Sequence, residues 1–160
     1  MKRVIILSLL CLVFCSCASG GYSDSLDSAE VAKRLTGEIS GFEDYVEYDD
    51  EEIGYLLELS AENCDVCVIH SKDADDQGEI GIIRAPSEAD AKEVLSEAQG
   101  YRDQMRAERR AFVANYLPRE LPKLSSAETR RFGSYVIYTI LESEKAALVF
   151  DELEETLKIQ

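Results

Sequence analysis

Ser134-Tyr-Val-Ile-Tyr-Thr-Ile-Leu141 decides the fold class. From Tyr135 to Leu141 it is almost continuously apolar, the pattern of a central strand buried on both faces. Phe132-Gly133 before it supplies a turn, and residues 124–131 read as the neighbouring strand, so 124–141 predicts a hairpin. A second hairpin lies upstream. Residues 64–71 alternate, with Val66, Val68 and His70 on one face and Cys67 and Ile69 on the other. Residues 72–79 (KDADDQGE) form the turn and 80–84 the returning strand.

Helices fill the rest. Asp27 and Glu30 have capping-box spacing, and Val31, Leu35, Ile39 and Phe42 follow at helical intervals, which predicts a helix over 28–39. A short helix is expected near 50–59, with Ile53, Leu56 and Leu57 on one side. Pro86-Ser87 opens the longest helix, with Ser87 and Asp90 at capping spacing. Val94, Ala98, Tyr101, Met105 and Phe112 form its core stripe, and it reaches Asn115 before Tyr116-Leu-Pro118 stops it. Residues 143–158 make the last helix, with Ala146, Phe150, Leu153 and Leu157 inward. The order α-α-β-β-α-β-β-α predicts an α+β fold of two layers: a mainly antiparallel sheet of four strands with helices on one face.

Composition narrows the function. The 160 residues carry 17 Lys+Arg against 32 Asp+Glu, a formal charge of −15. This argues against nucleic acid as a partner. A single His and no Trp leave little room for His-based catalysis or multi-His metal sites. The charge is uneven: residues 102–131 alone are +4.

The N-terminus indicates the compartment. Lys2-Arg3 is a positive start, residues 4–14 are an apolar run of eleven, and Ser16-Cys17 leads into the small, polar 18–24. The run suits a signal-peptide core and is short for a membrane span. This junction resembles a bacterial lipoprotein signal: residues 1–16 are removed, Cys17 receives a diacylglyceryl lipid, 17–24 tether, and 25–160 form one domain. Cys15 is the alternative acceptor, and an ordinary cleaved signal or an uncleaved anchor are the other readings. Two acyl chains anchor stably where one does not.

Several constellations invite chemistry. Cys64-Asp-Val-Cys67 with His70 has redox or partial metal-site spacing. Residues three apart in a strand face opposite ways, with Cα atoms roughly 10 Å apart, which argues for two core residues over a bridge. Asp73-Ala-Asp75-Asp76-Gln77-Gly78 is similar to the start of a calcium loop, but Gln77 stands in place of Asp or Asn and Arg84 in place of a bidentate Glu. Asp49, Asp50, Glu51 and Glu52 are paired acids, but chance pairs are unavoidable among 32 acids. Arg102, Arg106, Arg109 and Arg110 cluster on the long helix as a candidate docking patch for an anionic partner, or as a face balanced by this chain's own acids.

Beyond these motifs, the whole chain after the signal resembles the DUF4358 lipoproteins, a family of Gram-positive, mostly clostridial bacteria. The resemblance rests on the lipoprotein start, Ala29-Glu-Val-Ala-Lys-Arg-Leu35, and Glu47-Tyr-Asp-Asp-Glu-Glu-Ile53 before a hairpin. It continues in Phe112-Val-Ala-Asn-Tyr-Leu-Pro118 closing a long helix, and in Gly133-Ser-Tyr-Val-Ile-Tyr-Thr-Ile140 before a final helix. Cys64 and Cys67 depart from the family. The resemblance implies an extracytoplasmic lipoprotein and no activity. The expected function is therefore a non-enzymatic interaction or accessory module on the outer face of a bacterial membrane. Its partner would be an extracytoplasmic protein or wall polymer, and no cofactor is implied. The alternatives are a ligand- or cation-binding lipoprotein using acidic segments 43–52 and 73–79, and a thiol-based redox protein using Cys64 and Cys67.

Overall fold

The computed structural model describes residues 21–59 and 62–159. The candidate acceptors Cys15 and Cys17, and the signal before them, lie outside the described residues. Helix α1 spans Ser28–Glu38 and is capped by Asp27, whose side chain accepts from the Glu30 amide. Strand β1 (Tyr45–Glu47) follows, then helix α2 (Asp50–Leu56), which opens with a reciprocal capping box between Asp49 and Glu52. Strands β2 (Asp65–Ser71) and β3 (Glu79–Arg84) are the upstream hairpin. The long helix α3 covers Asp90–Tyr116, followed by a 3₁₀ turn Pro118–Glu120 and the short helix α4 (Leu121–Ser125). Strands β4 (Glu128–Phe132) and β5 (Tyr135–Ile140) form the second hairpin, and α5 (Ser143–Leu157) closes the fold.

The fold is α+β, and the sheet is antiparallel throughout in the order β1-β2-β3-β5-β4. It has five strands where the sequence predicted four. The addition, β1, pairs Val46 with His70 at one edge and sits in the acidic run after residue 42. Three residues are too few to show a period, and acidic side chains suit an edge that must not recruit another strand. Residues 124–131, expected as one strand, divide into the end of α4 and the start of β4.

The expected placement of helices on one face is corrected: they cover both. On one side Cys67, Ile69, Ile80, Ile82, Tyr135 and Ile137 pack under α1 and α5. On the other, Val68, Ile83, Val136 and Tyr138 pack under α2 and α3. The central strands are apolar on both faces, so each face must be covered from water. At about 25 cal/mol per Å² of apolar surface, leaving one side open would cost many kcal/mol.

The chain joins this fold from residue 21. Tyr22 bridges Lys158, the Ser23 amide donates to the Leu157 carbonyl, and the Ile159 amide donates to the Gly21 carbonyl. Tyr22 meets the Phe132 ring edge-on at 5.4 Å. Gly133, at φ +59°, turns the β4–β5 hairpin beneath it, and a Cβ there would lie 2.9 Å from the Tyr22 Cβ. Residues 21–24, read as the end of a free tether, are thus partly built into the domain.

Candidate functional site

Strand parity puts Glu79, Gly81 and Ile83 on the face covered by α3. Glu79 opens β3 between His70 of β2 and Ile140 of β5. It is 1% exposed. A buried carboxylate needs partners, and three converge on it. The Tyr138 hydroxyl donates to Oε1 at 2.8 Å and the Tyr101 hydroxyl donates to the same oxygen at 3.0 Å. The Arg109 guanidinium lies 3.6 Å from Oε2. Gly81 makes this possible. Tyr138 is its partner across β5, and a Cβ on residue 81 would sit 1.9 Å from the Tyr138 ring. Without that atom the ring lies on the β3 backbone and its hydroxyl reaches Glu79.

The electrostatics follow from the geometry. Burial pushes both phenols above their ordinary range, and the charge of Glu79 pushes them further. They are therefore donors, and Glu79 is their acceptor. The two aromatic rings meet at 5.3 Å, edge to face. Next to this cluster Tyr48 stacks on His70, with centroids 3.9 Å apart. An open cavity of about 370 Å³ lies between Tyr48, His70, Arg109 and the 71–78 turn, with Glu79 in its wall. Chemically, Glu79 is occupied: one oxygen takes two phenols and the other faces a guanidinium. Such a carboxylate braces. It ties Tyr101 and Arg109, two turns apart on α3, to the first residue of β3.

The motifs singled out in the sequence are used in different ways. In the 73–79 segment, Asp73 accepts from the Asp75 amide, closing a turn. Asp76 accepts from the Gly78 amide at 2.6 Å and pairs with Lys123, which also holds Glu120. In 43–52, Glu43 accepts from the Gly41 amide, and Asp49 and Glu52 cap α2. Among the described residues no group of three His, Cys, Asp or Glu side chains could hold a metal ion. Cys64 and Cys67 are both free thiols. Cys67 is buried under α1, and burial, with Glu47 adding to it, pushes its thiol up to about 12. Cys64 packs on the opposite face and is also raised by burial. Both shifts oppose thiolate formation.

The four arginines share one side of α3 but divide their tasks. Arg102 donates to Asp103 and to the Thr129 hydroxyl on β4. Arg106 approaches the same Asp103 at 3.5 Å, Arg109 turns to Glu79, and Arg110 is exposed. The core stripe of α3 also needs a correction. Met105 is buried and Tyr101 half-buried, but Phe112 is 55% exposed. Val113 is buried in its place, against Leu124, Ala127 and Ile140. By this point the buried side has shifted round the helix, so Val113 faces the core and Phe112 stands on the exposed flank.

Glu79 itself was missed in the sequence, where it ended a turn of solvated acids. The available signal was parity: it stands two before Gly81 and four before Ile83, on a strand with no exposed face.

Two comparisons, with curated proteins and with solved structures, each find no match. The family model of a domain of unknown function, DUF4358, matches residues 40–141, from before β1 to the end of β5. That span contains Glu79, Tyr101, Arg109 and Tyr138, and it is more than half of the chain, which therefore belongs to the DUF4358 family.

Proposed function

We propose that the protein is a lipid-anchored, extracytoplasmic interaction module, tethered through Cys17 and working without catalysis. The exposed end of α3 carries this reading. Phe112 and Tyr116 stand exposed on its flank with their rings 5.1 Å apart. A pair of exposed aromatics on a rigid helix is a surface made for contact. The reactive groups inside the fold support the same reading, since Glu79 is saturated and both thiols are raised. The anchor rests on Lys2-Arg3, the apolar residues 4–14 and Ser16-Cys17. Only 18–20 separate Cys17 from Gly21, the first described residue, whose carbonyl accepts from the Ile159 amide. Four extended steps span at most about 14 Å, which holds the domain close to the lipid.

Palmitate labelling of the full chain in a bacterial host tests the anchor. Label is expected on the wild type and lost in Cys17→Ala. Label retained in that variant transfers the site to Cys15, and no label on either refutes lipidation.

A further inference from the structure

We infer that the domain stands on its own bilayer on one end of the sheet, with the cavity beside Glu79 turned away from the lipid. This rests on the tether reading and adds to it an orientation and a contact surface for phospholipid headgroups.

Residues 22–28 form a strap across that end and tie it to four strands. Tyr22 meets Phe132 of β4. The Asp24 carbonyl accepts from Arg84 of β3 at 3.0 Å. The Leu26 carbonyl accepts from the Tyr135 hydroxyl of β5. The Ser28 amide donates to the Asp65 carboxylate of β2 at 2.8 Å. These four strand residues share one end of the sheet: Asp65 pairs with Arg84, Arg84 with Tyr135, and Tyr135 with Phe132. A pull on residue 21 is therefore spread over β2, β3, β5 and β4. The lipid joins a braced end of the fold and not a hinge.

Length brings that end to the membrane. At most about 14 Å separate Cys17 from Gly21. Glu79 and Ile140 pair at the opposite end of β3 and β5, roughly 17 Å of strand from Arg84. Helix α3 starts beside the strapped end, where Glu88 faces Arg131 at 3.9 Å, and its 27 residues run to about 40 Å. The strapped end is thus near the headgroups in every pose. The domain can stand on it or lie on a helix-covered side.

Charge decides against lying down. The chain holds 32 acids against 17 bases. Helix α2 has three acids in its first turn and no base. Helix α5 has five acids and one base. On α3, Glu108 stands one turn before Phe112, in a groove that it lines with Glu58 and Glu97. Any of these sides laid on an anionic bilayer sets acids within the Debye length of about 8 Å. The strapped end is mixed. Arg34, Arg84, Arg131 and Lys158 stand there among acids such as Asp24 and Glu155, and Ile159 is 60% exposed. Its bases can meet headgroup phosphates, while the tether supplies the hold.

The chain has no Trp, so a single introduced one reports alone. Three variants of the full chain carry it: Ile159→Trp at the strapped end, Ala74→Trp in the turn at the opposite end, and Tyr116→Trp at the end of α3. Each is purified with its lipid from a bacterial host and floated with vesicles of phosphatidylglycerol and phosphatidylcholine, the latter bearing a nitroxide on its headgroup. Most of the fluorescence of Ile159→Trp is expected to be quenched, and that of Ala74→Trp and Tyr116→Trp to be retained. Quenching of Ala74→Trp or Tyr116→Trp equal to that of Ile159→Trp means that the domain lies on a side, and overturns the orientation. No quenching in any variant that floats with the vesicles also overturns it and leaves the tether standing. Protein that fails to float refutes the tether, and the orientation falls with it.

Discussion

At the scale of single residues, Glu79 shows how one buried charge organises its surroundings. Its two phenolic donors and one guanidinium come from β5 and α3, so the carboxylate holds strand and helix together. Removing it leaves one buried hydroxyl, one half-buried hydroxyl and a cation without their acceptor. Glu79→Ala is therefore expected to destabilise the fold by about 3 kcal/mol, read as a lower urea midpoint. A change within about 0.5 kcal/mol would show that the cluster contributes little. Substituting a similarly shaped apolar residue is a different experiment, because it fills the space and leaves only the lost hydrogen bonds of the phenols. The sequence concealed Glu79 because burial is a tertiary property. In a run of eight turn residues ending in Glu79, nothing local separates the one acid that points inward from Asp73 and Asp75, which do not. By contrast, the opposed directions of Cys64 and Cys67 were legible, since the period of a strand is fixed by its backbone.

At the scale of elements, the hairpins and helices α1, α2, α3 and α5 could be read because periodicity and caps are local. Asp27 caps α1 as its spacing suggested. What lay beyond reach was the direction of a long helix over its neighbours. The spacing along α3 predicts core as far as Phe112, but over 27 residues the buried side shifts round the helix, and Val113 takes the inward position against Ile140. Counting the covering helices failed for another reason: both faces of β2, β3 and β5 are apolar, and the expectation of one covered face ignored this. The turn before β3 was likewise legible as a turn but not as a joint. Asp76 fastens it to α4 through Lys123. Burial alone would raise the Asp76 carboxyl, but hydrogen bonds from Lys123, Gly78 and Ser71 outweigh it and hold the group below its ordinary 3.8. A carboxylate lowered by folding adds stability that is complete above its unfolded value. That stability is lost as the pH falls through the folded one. Acid unfolding should therefore steepen below about pH 4, and Asp76→Asn should flatten that part of the curve. Identical acid curves for the two proteins would show that the joint does not depend on this charge.

For the whole molecule, net charge and its placement matter more than any pair. The excess of bases in 102–131 does not form a separate pole. Arg109 meets Glu79, Lys123 meets Asp76, and Arg131 reaches toward Glu88, so acids and bases from distant parts of the chain interleave. Of the bases in 102–131, Arg110 and Arg119 have no ion pair among the described residues. The remaining acids repel one another over the surface. Salt on the order of 0.5 M shortens that repulsion to a few ångströms and should raise the melting temperature. A melting temperature that falls with salt would mean that the exposed ion pairs outweigh the repulsion. One more property belongs to this scale. Gly21 and Ile159 are hydrogen-bonded neighbours, so the described chain is nearly a ring. The network of contacts has no preferred starting point. A short linker joining 159 to 21, with a new break in the exposed 72–75 turn, would permute the sequence and keep every strand beside its present neighbours.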